Sequence, residues 1–385
     1  MSERVAIVWD DQLAAYDFGP QHPLKPVRVK LTVELSRAYG ILDLPNVAVH
    51  TPVPATREQL EMIHDPSYID AVEQISATAE RAFANYGWGI GMGDNPAFRG
   101  MHEASALVAG ASLTGARLVH DGAVEHVFNP AGGLHHAMRD RASGFCIYDD
   151  PAIAIEWLLR SGHERIAYVD VDVHHGDGVQ AAFYDDPRVM TISLHESGEF
   201  LFPGTGFPSE TGADGTSVNV ALPPMTGDDA YREAFDEIVP PLVEAFRPSI
   251  LVTQLGCDTH ATDPLAHLAL TTRTYRHVAA AFHDLAHRLA GGRWLAVGGG
   301  GYQIYTVVPR AWTLYAAELA GVELDPAIPA QWIDVARSLG AQGLPAMIDD
   351  PQVVASPGRM EEARDGTRAA TAATKRAVFG FHGLA

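Results

Sequence analysis

Six short runs of β-branched and apolar residues punctuate the chain, most of them followed by a longer amphipathic stretch, and this alternation constrains the fold more than any other feature. The runs are 4–9 (RVAIVW), 125–129 (EHVFN), 165–171 (RIAYVDV), 188–194 (RVMTISL), 249–255 (SILVTQL) and 293–298 (RWLAVG). Strands so continuously apolar need cover on both faces, which βαβ crossovers supply, so the pattern predicts an α/β chain with a central parallel sheet. Helices are expected near 27–39, 56–64, 66–80, 101–120, 151–161, 228–247, 272–290 and 306–320, the second opened by a Thr56–Gln59 capping box. The Gly- and Pro-rich stretch 196–216 reads as a long loop, and the last forty or so residues read as a polar surface wrap. No repeat or linker divides the sequence, and 47 % hydrophobic residues supply a large core, so one domain over 1–385 is expected.

Charge and cysteine content narrow the function classes. With 27 Lys and Arg against 48 Asp and Glu, the formal charge is −21. That excess argues against nucleic acid and anionic membranes as partners, which require clustered cations, and leaves room for a cationic substrate. Two cysteines, Cys146 and Cys257, cannot build a disulfide framework. Residues 1–9 lack the regions of a signal peptide, and the longest uncharged stretch, 294–309, is shorter than a membrane span. A cytoplasmic protein is expected. The sequence carries no signature of oligomeric state.

In open parallel sheets, ligands bind beyond the carboxyl ends of the strands, and four polar clusters fall there. The run 165–171 leads into Asp170-Val171-Asp172-Val173-His174-His175-Gly176-Asp177. Residues two apart on an extended strand share a face, so Asp170, Asp172 and His174 are expected to point one way. A cation would relieve that concentration of buried charge, and an oxygen-plus-imidazole set suits Zn²⁺, Fe²⁺ or Mn²⁺. The alternative is a hydrogen-bonded polar strand end. Asp258, just past the run 249–255, would complete an open three-ligand set, or else act as a helix cap. Its neighbour Cys257 is expected to face the core. His135 and His136 follow a Gly-Gly turn, and Asp170 and Asp177 are suited to hold imidazoles, although a lone surface histidine is the plainer reading of each. Finally, Gly298 to Gly301 permit close backbone approach and precede Tyr302, either a surface residue or a phenol aimed at a developing oxyanion. The run lacks GxGxxG spacing, so phosphate binding is rejected.

Taken together, the clusters resemble the histone deacetylase family, particularly its bacterial acetoin-utilization members that look like class I enzymes. The motifs are HPLKPVR (22–28), GGLHHA (132–137), SGFC (143–146), YVDVDVHHGDGV (168–179), MTISLH (190–195), FPGTG (202–206), GCDTHATDP (256–264) and GGGGY (298–302), in family order. The resemblance implies the three-layer α/β/α arginase/deacetylase fold, with a central mainly parallel sheet and a catalytic core from about 4 to 322 on which the C-terminal segment packs. It implies that Asp172, His174 and Asp258 bind the catalytic Zn²⁺, with Fe²⁺ as an alternative. His135 and His136 would be the catalytic pair, held by Asp170 and Asp177, with Tyr302 at the oxyanion. One K⁺ site would use Asp170, Asp172, His174, Ser193 and Leu194, and a second would lie at Phe183, Asp186 and Val189. Phe145 and Phe202 resemble the aromatic pair of the acyl-lysine tunnel, flanked by Gly144 and Leu265. Asp94 resembles the rim carboxylate and Arg28 the internal-channel arginine. Leu134 stands where an aromatic residue is common, and Cys257 where alanine is usual.

The expected activity is hydrolysis of N-ε-acetyl-lysine in a protein, with acetylated acetyl-CoA synthetase the leading substrate by resemblance. Three alternatives are weighed: an acetylpolyamine amidohydrolase on the same centre, a binuclear ureohydrolase, and a non-catalytic acyl-lysine reader. The ureohydrolase wants D-x-D spacing at the later cluster, whereas Asp258 and Asp263 are five apart. The reader would tend to have lost a ligand or catalytic group, and all are present.

Overall fold

In a computed structural model of the protein, residues 4–79, 86–91, 93–351 and 357–385 are described. Eight strands form one sheet in the order β2-β1-β3-β8-β7-β4-β5-β6, and every neighbouring pair is parallel. The strands are β1 (Val5–Val8), β2 (Val47–His50), β3 (His126–Asn129), β4 (Ile166–Asp170), β5 (Val189–Glu196), β6 (Ser217–Leu222), β7 (Ile250–Gln254) and β8 (Trp294–Val297). Six of these fall on the expected runs, β5 continuing two residues past its run to Glu196, and all six are buried along their whole length. The two outer strands, β2 and β6, were not anticipated. β2 is partly exposed at every residue, so it lacks the continuous apolar signal of a two-face-covered strand. β6 carries buried Ser217 and Asn219 among its apolar residues, and the Asn219 amide donates to Gln180 Oε1 at 2.7 Å. The loop expected over 196–216 therefore ends in a strand.

Helices cover both faces. One layer runs through α1 (Val27–Ala38), α9 (Val308–Ala320), α8 (Thr272–Ala290), α7 (Asp228–Phe246) and α11 (Pro357–Val378), each packed on the next. α3 (Pro66–Thr78), α4 (Met101–His120), α5 (Asp150–Arg160) and the short α6 (Asp177–Phe183) are linked in turn by packing contacts. This is the expected three-layer arrangement. The Thr56–Gln59 capping box forms, but it opens only α2 (Arg57–Leu60) before the chain breaks into turns. The remaining helix, α10 (Ala330–Ser338), buries Trp332 in a satellite core with Leu31, Leu35 and Ile348.

The polar C-terminal segment is more than a wrap. α11 packs on β6 and α7, and its buried stripe sets Thr367, Thr371 and Thr374 between Ala363 and Val378. Thr367 and Thr371 donate to carbonyls four residues back, and Thr374 donates to Asn219 O at 2.6 Å. Satisfied hydroxyls make the stripe buriable, whereas the sequence reads as polar surface. Among the described residues, no helix is long and apolar enough to cross a membrane.

Candidate active site

Four adjacent strands, β3, β8, β7 and β4, end at Asn129, Val297, Gln254 and Asp170. The loops that leave them, 130–136, 298–302, 256–263 and 171–177, carry the four clusters anticipated in the sequence. Adjacent parallel strands deliver adjacent loop origins, so residues more than 150 positions apart in the chain converge.

β4 stops at Asp170, one residue short of expectation, because Asp170 Oδ1 accepts the Asp172 N–H and turns the backbone away from the ladder. Asp172, His174 and Asp258 are buried, and their ligand atoms all lie within 4.8 Å of one another. His174 Nδ1 sits 3.2 Å from Asp172 Oδ1 and 3.1 Å from Asp258 Oδ2. Burial and then the neighbouring Asp172 push the Asp258 carboxyl up to about 6, the penalty that a shared dication removes. Space is cleared by glycine on two sides. A Cβ at Gly300 or at Gly256 would run into the Asp172 carboxylate, and the one at Gly300 into Asp258 as well. Two carboxylates and an imidazole with side-chain-free walls fit a divalent cation.

The paired histidines adjoin this cluster. His135 Nδ1 lies 2.7 Å from Asp170 Oδ2, His136 Nδ1 lies 2.6 Å from Asp177 Oδ1, and the two Nε2 atoms meet at 3.1 Å. Each carboxylate fixes its ring with the Nε2 side turned to the cavity. Burial and then the charge of His135 hold His136 down at about 4. For His135 the carboxylates Asp170 and Asp172 outweigh burial and push it up to about 9. Tyr302 is half-buried beside the same cavity, with burial first and then Asp258 and Asp172 raising its phenol well above its ordinary value.

Phe202 packs edge-on over His136 with centroids 5.0 Å apart, and Phe145 packs edge-on against Tyr302 at 5.8 Å. Gly144, at φ +50°, lies between: a Cβ there would stand 2.9 Å from the Phe202 ring and closer still to His136. Asp94 is exposed, and its carbonyl lies 3.1 Å from His22 Nε2, whose ring in turn abuts Phe145. Leu265 is half-buried and donates its N–H to Asp263. Arg28 is buried over Trp312, donates to Gly301 O at 3.0 Å, and lines the same cavity as the histidines. Ser193 pairs with Asp170 across β4 and β5, next to Leu194. Phe183, Asp186 and Val189 share one turn, in which the Phe183 and Asp186 carbonyls each accept an N–H and Arg188 engages the Asp186 carboxylate. Cys257 is buried as expected, its thiol pushed up by burial and Asp258.

Several supporting contacts escaped the sequence reading. Gln254 donates to Asp172 Oδ2 at 2.7 Å and accepts from Gly256 N. Gly300 N–H donates to the same Asp172 oxygen at 2.7 Å. Asp150 accepts the Gly133 and Leu134 N–H groups, pinning the turn before the histidines. Asp263 accepts Tyr302 N–H at 2.8 Å and so ties the glycine loop to the 256–263 loop. The signal available for Gln254 was an amide at the end of an otherwise apolar strand. Asp150 gave none, and Asp263 was read only for its spacing from Asp258.

The family model described as the histone deacetylase domain matches residues 22–319. The acetoin utilization protein AcuC of Bacillus subtilis (strain 168) is 41 % identical over 347 residues, covering 89 % of each chain. Its namesake in Staphylococcus aureus (strain MSSA476) is 37 % identical over 353 residues, covering 91 % of this chain and 90 % of that one. The crystal structure of an HDAC homolog from Aquifex aeolicus superposes with a TM-score of 0.82 at 30 % identity, over 96 % of this chain and all of the other. A crystal structure of an HDAC homolog complexed with SAHA gives 0.83 at the same identity and coverage. The sheet is thus that of the arginase/deacetylase fold, and the chain belongs to the histone deacetylase family as a hydrolytic deacetylase of the acetoin-utilization type.

Proposed function

We propose that the protein is a metal-dependent lysine deacetylase that releases acetate from N-ε-acetyl-lysine in an acetylated protein, acetylated acetyl-CoA synthetase being the first substrate to try. The observation that carries this reading is the abutment of two carboxylate-held histidines, Nε2 to Nε2 at 3.1 Å, on a buried Asp172–His174–Asp258 cluster. Those three residues would hold a divalent cation, Zn²⁺ or alternatively Fe²⁺, which when bound polarises the acetyl carbonyl and acidifies a water. His136, held at about 4, is neutral at pH 7, and its Nε2 takes the proton of the attacking water. Asp177 then stabilises the imidazolium across the 2.6 Å contact. The Tyr302 phenol, kept protonated, donates to the oxyanion as it develops. One of the two imidazoles returns a proton to the lysine nitrogen as the C–N bond breaks.

Phe145 and Phe202 would line the path of the neutral acyl-lysine stem past Gly144, with Leu265 beside it and Asp94 at the rim. Two K⁺ sites belong to the same reading, one beneath Asp170, Asp172, His174, Ser193 and Leu194. The other, at Phe183, Asp186 and Val189, would draw on backbone oxygens, because Arg188 occupies the Asp186 carboxylate. A cytoplasmic location fits an enzyme of this kind.

The test is acetate release from an acetyl-lysine peptide before chelation, after chelation and after Zn²⁺ is restored, with acetylspermidine as a parallel substrate. Loss on chelation and recovery with Zn²⁺ are expected on the peptide. Turnover of acetylspermidine alone would overturn the protein-substrate reading, and near-full activity of His136→Ala would overturn the base.

A further inference from the structure

A second histidine cluster lies at the opposite end of the sheet. His126 is the first residue of β3, whose last residue, Asn129, leads into the active-site loop. His283 and His287 stand four apart on α8 and so share one face of that helix. The ligand nitrogens of all three lie within 4.8 Å of one another, and His126 Nε2 and His287 Nε2 are 3.2 Å apart. Ring centroids are separated by 4.9, 5.0 and 4.8 Å. The burial is graded, from enclosed His126 through His283 to exposed His287, which leaves a route of entry from solvent.

We propose that His126, His283 and His287 form a second, non-catalytic site for a borderline divalent transition ion such as Zn²⁺, Co²⁺ or Cu²⁺. Three convergent imidazoles select these ions over Mg²⁺ and Ca²⁺, which prefer oxygen. The surroundings have the features of a ligand site. Glu318 Oε1 lies 3.1 Å from His283 Nδ1, the kind of carboxylate contact that orients a metal-binding imidazole. Trp294 packs against both His126 and His283, and its indole N–H is already engaged by Thr253, so the wall is apolar and rigid. His287 is in the last turn of α8, where the helix dipole favours positive charge. The nearby Arg288 is taken up by Asp284 and Glu244. An ion there would pin α8 to β3 at the amino-terminal end of the strands, with the active site left at the other end.

The experiment uses full-length protein without a polyhistidine tag, its catalytic site loaded with metal, titrated with Zn²⁺ and separately with Cu²⁺. The wild type is expected to take up a second equivalent of Zn²⁺, to rise in Tm with excess Zn²⁺, and to show nitrogen hyperfine structure from three imidazoles with Cu²⁺. His287→Gln, at an exposed position, and the His283→Gln/His287→Gln pair are expected to lose the second equivalent and the Tm response while keeping deacetylase turnover. Glu318→Gln should weaken the site about 10–100-fold. A wild type that stays at one equivalent, or variants that still take up two, would overturn the proposal. Metal uptake, Tm and the hyperfine pattern are all read without turnover, so they stand whether or not the first site proves catalytic.

Discussion

Replacing Asp177 by Asn separates two contributions that the carboxylate makes to His136. Asp177 Oδ1 accepts from His136 Nδ1 at 2.6 Å and also from the Gly178 N–H at 3.1 Å. An amide oxygen can occupy the same place and keep both donors. Flipping the amide would set its NH₂ against the Gly178 N–H, which would keep only its 3.0 Å contact to His135 O, and would put a donor in place of the acceptor that faces His136 Nδ1. The ring should therefore keep its tautomer, with Nε2 free to accept a proton, and lose only the negative charge that stabilises the imidazolium. The gap between a charge-assisted and a neutral hydrogen bond is about 1–2 kcal/mol, so turnover should fall about 5–30-fold in Asp177→Asn. Asp177→Ala removes the orienting contact as well and should approach the loss in His136→Ala, on the order of 10²–10⁴. The assay is kcat for acetate release by metal-loaded protein, with metal content and KM measured alongside. If Asn is as damaging as His136→Ala, the amide has flipped and the two-donor argument is wrong. If Asn matches the wild type, the charge contributes nothing.

Tyr302→Phe removes the phenolic donor while leaving the Asp263 contact to its backbone, and should lower kcat about 10²–10³-fold with little change in metal content; an unchanged kcat would remove Tyr302 from the oxyanion. Gly300→Ala would press a Cβ to within 2.8 Å of Asp172 Oδ2 and nearer still to Asp258, so metal content should collapse while the fold, read by circular dichroism, persists. Retention of a full metal equivalent would show that the glycine wall is not needed. For stability against pH, buried His64 is held down to about 4 by burial, with its Nδ1 facing Met138 O and its Nε2 accepting the Asp149 N–H. Its folded value lies below the ordinary 6.5, so its contribution is complete above pH 6.5 and lost as pH falls toward 4, about 3 kcal/mol in all; denaturant melts should show a His64→Gln variant with a shallower acid decline, and equal slopes would refute the assignment.

What the sequence made legible follows from which forces act locally. Strands buried on both faces announce themselves as apolar runs, and the sheet has a long-range consequence that pattern alone carries: polar residues at strand ends collect on one edge. Asp172, His174, Asp258, His135, His136 and Tyr302 were readable because each follows such a run. β2 and β6 were not, because an edge strand trades apolar cover for exposure or for specific amides, and the packing face of α11 is mostly threonines, satisfied by carbonyls of their own helix and, for Thr374, by Asn219 O of β6. The supporting groups belong to the same class. Asp150 and Asp263 act on backbone N–H groups 16 and 39 residues away in the chain, and no spacing rule links a carboxylate to a turn that the fold brings beside it. His126 makes the point from the other side. His283 and His287 are an evident i, i+4 pair, but the third imidazole lies 157 residues before His283, and only the β3–β8 register beside Trp294 brings it under α8. Strand order therefore decides which polar residues become a site, at both ends of the sheet.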